Sequence, residues 1–198
     1  MAPSEAWQSL YEEEPGARNP APGELRLVQL FLNSVDIEAG TDGFATISGL
    51  RSWLFGCGLI RRDVPISEPD RVFAVQTREA VRDLVGANTG NRVPAASIEL
   101  LNQLGVSGVA IHFDRNGAAH LAGTNRDMHS ALMTILGVTS MAMAAGTWPR
   151  LKVCRRDKCR WVFYDRSKPG RGVWCTMAIC GARTKSASYY RRAVVKQL

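Results

Sequence analysis

Residues 154–181 read CRRDKCRWVFYDRSKPGRGVWCTMAICG, and they decide how the C-terminal part of the chain folds. Four of the five cysteines lie in this stretch, with the spacing Cys154-x4-Cys159-x15-Cys175-x4-Cys180. Cysteines separated by two to four intervening residues can reach one Zn²⁺ ion from a tight turn, and tetrahedral zinc takes four sulfur ligands at about 2.3 Å. The spacing therefore predicts a structural zinc site with no open coordination position. A redox-active dithiol site is the alternative that the pattern leaves open.

The surroundings of these thiols favour metal over disulfides. The chain starts Met-Ala-Pro-Ser-Glu-Ala-Trp, without the basic region and apolar run of a secretory signal. The expected location is therefore the reducing cytoplasm, where clustered thiols more often hold metal. A module of about fifty residues cannot stabilise its own core, whereas structural zinc supplies on the order of 10–16 kcal/mol. We expect Zn²⁺ as the cofactor that makes the module fold.

The net charge of +7 is unevenly divided along the chain. Residues 1–149 carry 11 Arg and no Lys against 16 Asp and Glu, for a formal charge of −5. Residues 150–198 carry 14 Lys and Arg against two Asp, for a formal charge of +12. A field of this strength favours a polyanionic partner, with nucleic acid ahead of an anionic membrane surface. A basic tail kept for solubility is the alternative.

The residues between and after the cysteine pairs suggest a treble-clef-like module. Residues 160–165 are strand-like, residues 166–172 form a turn, and Val173-Trp174 is predicted to start a return strand. A C-terminal helix is predicted from Ala182 to Lys196. Zinc knuckle, hairpin and helix then follow in that order.

One face of the predicted C-terminal helix is basic. At 100° per residue, five side chains fall within an arc of about 100°. This arc contains Lys185, Ser188, Tyr189, Arg192 and Lys196. Such a face suits phosphate contact, and the basic turn adds Lys168 and Arg171 as candidate nucleic-acid contacts. Arg183 is expected to have a structural role at the start of the helix, and a merely solvated basic helix remains the alternative.

The chain upstream predicts a mostly helical α+β domain over residues 24–149, preceded by a flexible tail over residues 1–23. Helices are predicted from Glu24, from Ser48 to Gly56, from Ser67 to Asn88, from Pro94 to Leu104 and from Arg126 to Ala145. Asn116-Gly117 predicts an antiparallel hairpin between Val109–Phe113 and Ala118–Ala122. The apolar stretch from Ala131 to Trp148 is short for a membrane span, so we expect a buried helix and no membrane partner.

The cysteine-rich region resembles the CGNR zinc finger family. The family pattern appears here as the four cysteines, Phe163-Tyr164-Asp165-Arg166-Ser167, the basic turn, Trp174-Cys175 and Cys180-Gly181-Ala182-Arg183 followed by Lys185. One position departs from the pattern, because Ala182 stands where the family has Asn. Any cap or polar contact that this Asn supplies is therefore in doubt.

The upstream region is similar to the ABATE domain that is usually joined to this finger. The matching segments are Leu30–Ser34, Leu50 with Trp53-Leu54, Arg78–Val81 and Leu101-Asn102, in the expected order. The resemblance covers about residues 24–195. It implies a stress-induced bacterial transcription regulator with an α+β N-terminal domain.

A few other residues are weighed as candidate sites. His112 and His120 lie on the paired strands of the predicted hairpin, where a metal or acid–base site is conceivable, but half-buried strand histidines are commoner. Cys57 is expected to be a small buried residue rather than a sensing thiol. Asn33 lies on an apolar helix face, and a buried amide needs partners. It could bind a ligand or hydrogen-bond a neighbouring loop.

The sequence therefore favours a transcription regulator whose zinc module binds DNA. Its N-terminal domain would sense a small-molecule ligand or form a homodimer. A zinc-shaped protein-interaction module is the second hypothesis, and RNA binding stays open because exposed Trp and Tyr could stack on unpaired bases. An enzyme is the least supported class, and no catalytic residue is proposed.

Overall fold

The computed structural model describes residues 14–16, 18–106, 109–113, 115, 119–123 and 125–186. Its helices are α1 (Leu25–Leu32), α2 (Ile47–Gly56), α3 (Glu68–Ala87), α4 (Ala95–Gly105) and α5 (Met128–Ala144). Its strands form three separate antiparallel hairpins, namely β1–β2 (Val35–Asp36 and Thr41–Asp42), β3–β4 (Val109–Phe113 and Ala119–Gly123) and β5–β6 (Leu151–Val153 and Val162–Tyr164). A 3₁₀ turn at Trp148–Arg150 precedes β5, and a wide helical turn at Met177–Gly181 continues as helix over 182–186.

Helix starts are fixed by local side-chain chemistry. Before α3, the Ser67 hydroxyl accepts a hydrogen bond from the backbone N–H of Asp70, whose carboxylate accepts from the N–H of Ser67 in return. This reciprocal pair satisfies two backbone donors that the first helical turn leaves open. Thr46 caps α2 and Asp127 caps α5 in the simpler one-bond form. Of these three caps, Ser67 is the one that the sequence predicts, and the other two helices begin within two residues of their predicted starts.

The main hydrophobic core is built around α1, which is buried over nearly its whole length. It packs against α3, α5 and β6. Phe31 is fully buried and forms an aromatic cluster with Phe44 and Trp53, with ring centroids 5.7 Å from each. The same core takes in Leu151 and Val162 from the last hairpin. The cysteine-rich region is therefore attached to the helical domain by shared packing.

The β3–β4 hairpin lies directly on α5, and glycine makes this close approach possible. A Cβ atom at Gly137 of α5 would lie 2.7 Å from the carbonyl oxygen of Leu121 in β4. A side chain at this position would force the helix and the hairpin apart. The hairpin that the Asn-Gly pair predicts is thus placed by a glycine on a different element.

The partner strand of the cysteine-rich region differs from the prediction. Strand β6 pairs with β5, in the register Leu151–Tyr164, Lys152–Phe163 and Val153–Val162. Val173-Trp174 forms no strand in the part of the chain that the structure describes, although the Val173 carbonyl accepts a hydrogen bond from Arg155 N (2.9 Å). The first cysteine pair forms the turn of the hairpin, so the strand must pair with the segment just before Cys154.

The described part of the N-terminal stretch departs from the flexible tail expected over residues 1–23, of which residues 1–13 and 17 lie outside the described residues. Residues 14–16 and 18–21, here called the N-terminal strap, pack on α1 and on the last hairpin. Ala21 is buried, its N–H donates to the Gln29 side chain (2.6 Å), and Tyr164 N donates to Asn19 O (3.3 Å). The stretch is poor in apolar residues and has no period, so nothing local in its sequence predicts these contacts.

Among the described residues, no helix is both long enough and apolar enough to cross a membrane.

Candidate metal centre and nucleic-acid interface

The four clustered cysteines come together as a set of metal ligands. Their Sγ atoms all lie within 4.8 Å of one another, and all four residues are buried. The Cys159 and Cys175 Sγ atoms are 3.8 Å apart, and those of Cys175 and Cys180 are 3.5 Å apart. A zinc ion with four sulfur ligands at about 2.3 Å has sulfur–sulfur separations of about 3.8 Å. The cluster therefore fits tetrahedral zinc, and all four cysteines are free of disulfides.

Each cysteine pair lies on its own tight turn. Cys154 and Cys159 flank the turn of the β5–β6 hairpin, where Cys154 N donates to Trp161 O (2.9 Å) and Cys159 N donates to Arg156 O (2.8 Å). The second pair spans the wide turn at Met177–Gly181, which Thr176 caps by accepting from Ile179 N (3.2 Å). The two turns are held by their own backbone bonds, and the thiols of both meet in the cluster.

The electrostatics of the cluster favour a thiolate at Cys175, whereas hydrogen bonds among the thiols and burial raise the pKa values of Cys154 and Cys159. Hydrogen bonds from the Cys154 and Cys159 thiols, together with a bond from the Arg18 guanidinium, hold the pKa of Cys175 well below its ordinary value. A neighbouring cation stabilises the charged form of a thiol, and the thiolate is the form that binds metal. Cys57 differs, because burial raises its pKa to about 12. It is an inert core thiol, as expected.

The strap covers the aromatic side chain beside the metal site. Trp161 is buried with the cysteines, and its Nε1–H donates to the Glu14 carboxylate (2.8 Å). The same carboxylate pairs with the buried guanidinium of Arg26 in α1. The Arg18 guanidinium lies 4.7 Å from the centre of the Trp161 ring. The indole is therefore enclosed by the chain itself.

Asp165 shapes the basic turn that follows β6. Its buried carboxylate accepts from Lys152 Nζ (2.9 Å), Ser167 N (3.0 Å) and Gly172 N (2.7 Å). Although burial alone would raise its pKa, these hydrogen bonds hold the pKa of Asp165 well below its usual range. A Cβ at Gly172 would lie about 3 Å from this carboxylate. One ionised side chain thus closes the loop that carries Lys168 and Arg171.

Two groups can be distinguished among the basic residues of this region, apart from Arg150 and Arg166, which donate to backbone carbonyls. Lys152, Arg156 and Arg183 form ion pairs, the first with Asp165 and the other two with Glu38 of the β1–β2 loop. Another set is exposed, and within the described residues its side chains have no hydrogen bond or ion pair. This second set, called the free cations below, consists of Arg155, Lys158, Arg160, Lys168, Arg171 and Lys185.

Comparison with known families accounts for both regions. Residues 25–149 match the ABATE family, described as "Putative stress-induced transcription regulator". The chain belongs to the ABATE family. Residues 150–193 match the CGNR zinc finger, which confirms the predicted family combination and, with the buried thiol cluster, the predicted zinc cofactor. No match was found among curated proteins.

The finger's expected nucleic-acid contacts are only partly covered by the described residues. Lys168 and Arg171 are exposed on the Asp165 loop, and Lys185 is exposed on the short helix over 182–186. The remaining contacts lie outside the described residues, namely Ser188, Tyr189, Arg192 and Lys196. Ala182, the departure from the family pattern, is exposed at the end of the wide turn.

Asn33 joins the ABATE domain to the finger. Its Nδ2 donates to Val162 O (2.8 Å), and Val162 N donates to its Oδ1 (2.9 Å). Both ends of the amide are therefore used by the backbone of β6. Of the two roles considered for Asn33, the hydrogen bond to a neighbouring segment is the one that the structure shows.

The histidines of the β3–β4 hairpin are opposite each other in register, as the hairpin predicts. The His120 ring lies 2.8 Å from the Glu24 carboxylate at the start of α1. Within the described residues, the grouped metal-ligating side chains are the four finger cysteines. The geometry gives His120 a place at the domain surface and adds no support for a second metal site.

Two features of the candidate nucleic-acid interface were not predicted from the sequence. The knuckle cations Arg155, Lys158 and Arg160 have a local signal, because they lie between or beside metal ligands in the printed sequence. Glu38 has none, since it is 118 and 145 residues away from Arg156 and Arg183. Only the folded chain brings this carboxylate to the finger.

Proposed function

We propose that this protein is a transcription regulator that binds DNA through its CGNR finger, with the ABATE domain sensing a small ligand or forming a homodimer. The observation that carries the proposal is the set of free cations. Six exposed Arg and Lys side chains are held on a zinc-fixed frame, and the described residues offer them no anionic partner. Lys and Arg that release counterions from phosphates supply most of the affinity of a protein for DNA.

Duplex DNA fits this surface better than single-stranded RNA. Unpaired bases are bound largely by stacking on exposed aromatic rings. Trp161 is 8% exposed and is enclosed by Glu14 and Arg18, so it offers no open ring face. Trp174 and Tyr164 are half-buried. The described part of the finger therefore presents charge rather than aromatic platforms.

The test is fluorescence anisotropy of the zinc-loaded chain with duplex DNA across a salt series. The triple variant Lys168→Ala, Arg171→Ala, Lys185→Ala should lower the slope of log K against log salt by up to about 3, at roughly 0.9 for each phosphate that is no longer neutralised. Arg61→Ala with Arg62→Ala is the matched control, because both side chains are exposed on the ABATE domain. An affinity that ignores salt, or an unchanged slope in the triple variant, would contradict DNA binding by this surface.

Dimerisation by the ABATE domain is supported by the outer strand of its long hairpin. Ile111 is 62% exposed and Phe113 is 74% exposed on β3. Light scattering on a size-exclusion column measures the assembly state, and Phe113→Ser should shift a dimer to monomer. A monomer at all concentrations would leave ligand sensing as the role of the domain.

Two further parts of the proposal follow from the sequence. The chain is proposed to act in the cytoplasm, where thiols stay reduced and available to zinc. It is also proposed to have no enzymatic activity, because four sulfur ligands leave zinc no position for substrate or water. A zinc site that gains an oxygen ligand on addition of a small molecule, seen by X-ray absorption, would count against this.

A further inference from the structure

A polar cleft of about 280 Å³ lies between the ABATE domain and the first zinc knuckle. One wall is the end of α3 and the α3–α4 connection, which contributes Arg82, Asp83 and Arg92. The other wall is the knuckle, with Arg155, Asp157 and Arg160 beside the zinc ligand Cys154. The cleft thus joins the two regions at the metal site, and neither region forms it alone.

Arginine is the commonest charged residue in the lining of the cleft. Four arginines line it against two aspartates. The Asp83 carboxylate already accepts a hydrogen bond from Ser97 (2.7 Å). The guanidinium groups of Arg92, Arg155 and Arg160 have no hydrogen bond or ion pair in the described part of the chain. A planar guanidinium group binds two phosphate or carboxylate oxygens at once, so three arginines that line one cleft can together hold an oxyanion.

One of these arginines, Arg160, has a strained backbone conformation. Arg160 has φ 49°, a left-handed conformation that non-glycine residues rarely adopt. Its carbonyl accepts from Arg82 Nη1 (3.1 Å), and Arg82 is itself fixed by Glu79 (3.0 Å) and by the Leu32 carbonyl. Strained residues of this kind persist where the surroundings enforce them, and they cluster at ligand sites. The buried Arg82 therefore positions the knuckle against the cleft.

The start of α4 adds to the same field. Pro94 lines the cleft and is the N-cap of this 11-residue helix, and no side chain caps it. The first backbone N–H groups of a helix carry partial positive charge and favour anions nearby. This contribution has the same sign as the arginines.

We propose that this cleft binds a small phosphate-bearing ligand, held by Arg92, Arg155 and Arg160. The volume is at the small end of ligand sites, which suits a phosphate or pyrophosphate group rather than a polymer. A ligand here would contact the α3–α4 connection and the zinc knuckle together. Its role as the effector of a regulator rests on the proposed function, whereas the binding itself does not.

The test is calorimetric titration of the zinc-loaded full chain with inorganic pyrophosphate, with zinc content measured before and after. We expect one saturable site. Arg92→Ala, which lies outside the finger, should weaken binding about tenfold, and adding Arg155→Ala should weaken it about a hundredfold. The control pair Arg61→Ala, Arg62→Ala should leave the affinity within about twofold. Equal weakening of pyrophosphate binding in the control pair, or no saturation by about 10 mM pyrophosphate, would overturn the proposal.

Duplex DNA provides the second arm, since its phosphates could occupy the same arginines. Arg92→Ala is expected to leave DNA affinity unchanged while it weakens pyrophosphate. If it weakens DNA as much as Lys168→Ala does, the cleft is part of the DNA surface and the small-ligand proposal fails. Because calorimetry uses no DNA, a chain that binds pyrophosphate and no DNA would refute only the proposed function.

Discussion

The ABATE domain and the CGNR finger are stabilised by different physics. The main core is a cluster of buried aliphatic and aromatic side chains drawn from all five helices. The buried core of the finger is four cysteines with Trp161 and Phe163. Hydrophobic burial scales with apolar area, and so small a cluster cannot offset the chain entropy of its module. The ABATE domain is therefore stabilised by its own hydrophobic core, whereas the finger depends on a bound zinc ion.

The two regions are nevertheless joined more firmly than a linker would join them. Leu151 and Val162 of the finger hairpin lie in the main core, and Asn33 binds the backbone of β6. The finger can therefore lose its metal while its hairpin remains anchored. The predictions below separate these two sources of stability.

Loss of zinc should have the largest effect, and it should be confined to the finger. Cys175→Ser, or chelation, removes a metal whose binding supplies on the order of 10–16 kcal/mol. We expect the second cysteine turn to unfold while the helical domain keeps its far-UV circular dichroism. Mass spectrometry measures the loss of zinc, and tryptophan fluorescence follows the unfolding of the finger. Far-UV circular dichroism reports whether the helical domain stays folded.

Cys57→Ala is the matched control, because this thiol is buried in the ABATE core. It should retain one zinc per chain. A Cys175→Ser variant that binds zinc as tightly as the native chain would show that the four-cysteine assignment is wrong.

Phe31→Ala should have the next largest effect on stability. It should act on the helical domain rather than on the finger. Removing a fully buried phenylalanine from its contacts with Phe44 and Trp53 should lower the free energy of unfolding by about 3–5 kcal/mol. Urea unfolding followed by circular dichroism measures it. Zinc binding below the transition should stay at one per chain. Loss of zinc before the helices unfold would mean that the finger takes its stability from the main core.

Features that depend on contacts between neighbouring residues could be predicted from the sequence. Features that depend on contacts between distant segments could not. The helix starts at Ser67 and Pro94 and the four zinc ligands depend on neighbours within a few residues, so their patterns are visible in the sequence. The partner of β6 was mispredicted because three-residue strands carry no period and Val173-Trp174 has high β propensity. The contacts of Glu14 and Glu38 join distant segments, and no local pattern encodes them.

Asn33→Ala tests the connection between the regions. It removes both hydrogen bonds to Val162 and leaves a backbone N–H without its partner, at a cost of about 2 kcal/mol. Fluorescence and circular dichroism transitions in urea, which should coincide in the native chain, should separate. Asn102→Ala, at an exposed position of α4, is the control and should change neither transition. Coincident transitions in Asn33→Ala would show that packing alone couples the regions.

Acidification should weaken the ABATE domain through Asp42. Burial alone would raise the pKa of Asp42, but hydrogen bonds from Arg78 (2.7 and 2.8 Å) and from Phe44 N (2.8 Å) hold it below its ordinary value. The stabilisation is therefore complete above about pH 3.9 and is lost as pH falls through the lower pKa of the folded state. Asp42→Asn should cost about 1.5 kcal/mol at pH 7.

The difference in the free energy of unfolding between Asp42→Asn and the native chain should disappear in acid. Urea unfolding at several pH values measures this difference. A gap between Asp42→Asn and the native chain that stays constant down to about pH 2 would contradict a lowered pKa.

Glu38→Gln should have the smallest effect on stability and a visible effect on binding. The carboxylate pairs with Arg156 and Arg183 at the surface, and such pairs contribute less than about 1 kcal/mol. Its removal frees two finger cations, so DNA affinity at low salt should rise and the salt slope should steepen by up to about 2. Glu99→Gln changes the same charge at an exposed site of α4 and should leave the slope unchanged. An equal change in both variants would mean that only net charge matters.

The N-terminal strap has a consequence for the time at which the protein matures. Glu14 and Trp161 are 147 residues apart in the chain, yet they share a buried hydrogen bond beside the metal site. A ribosome adds about 5–20 residues each second, so Glu14 is made about 7–30 seconds before the indole that it binds. The helical domain can fold during synthesis, whereas the strap can close on the indole only after the hairpin that carries Trp161 has emerged. Closure of the strap is thus a late step of assembly.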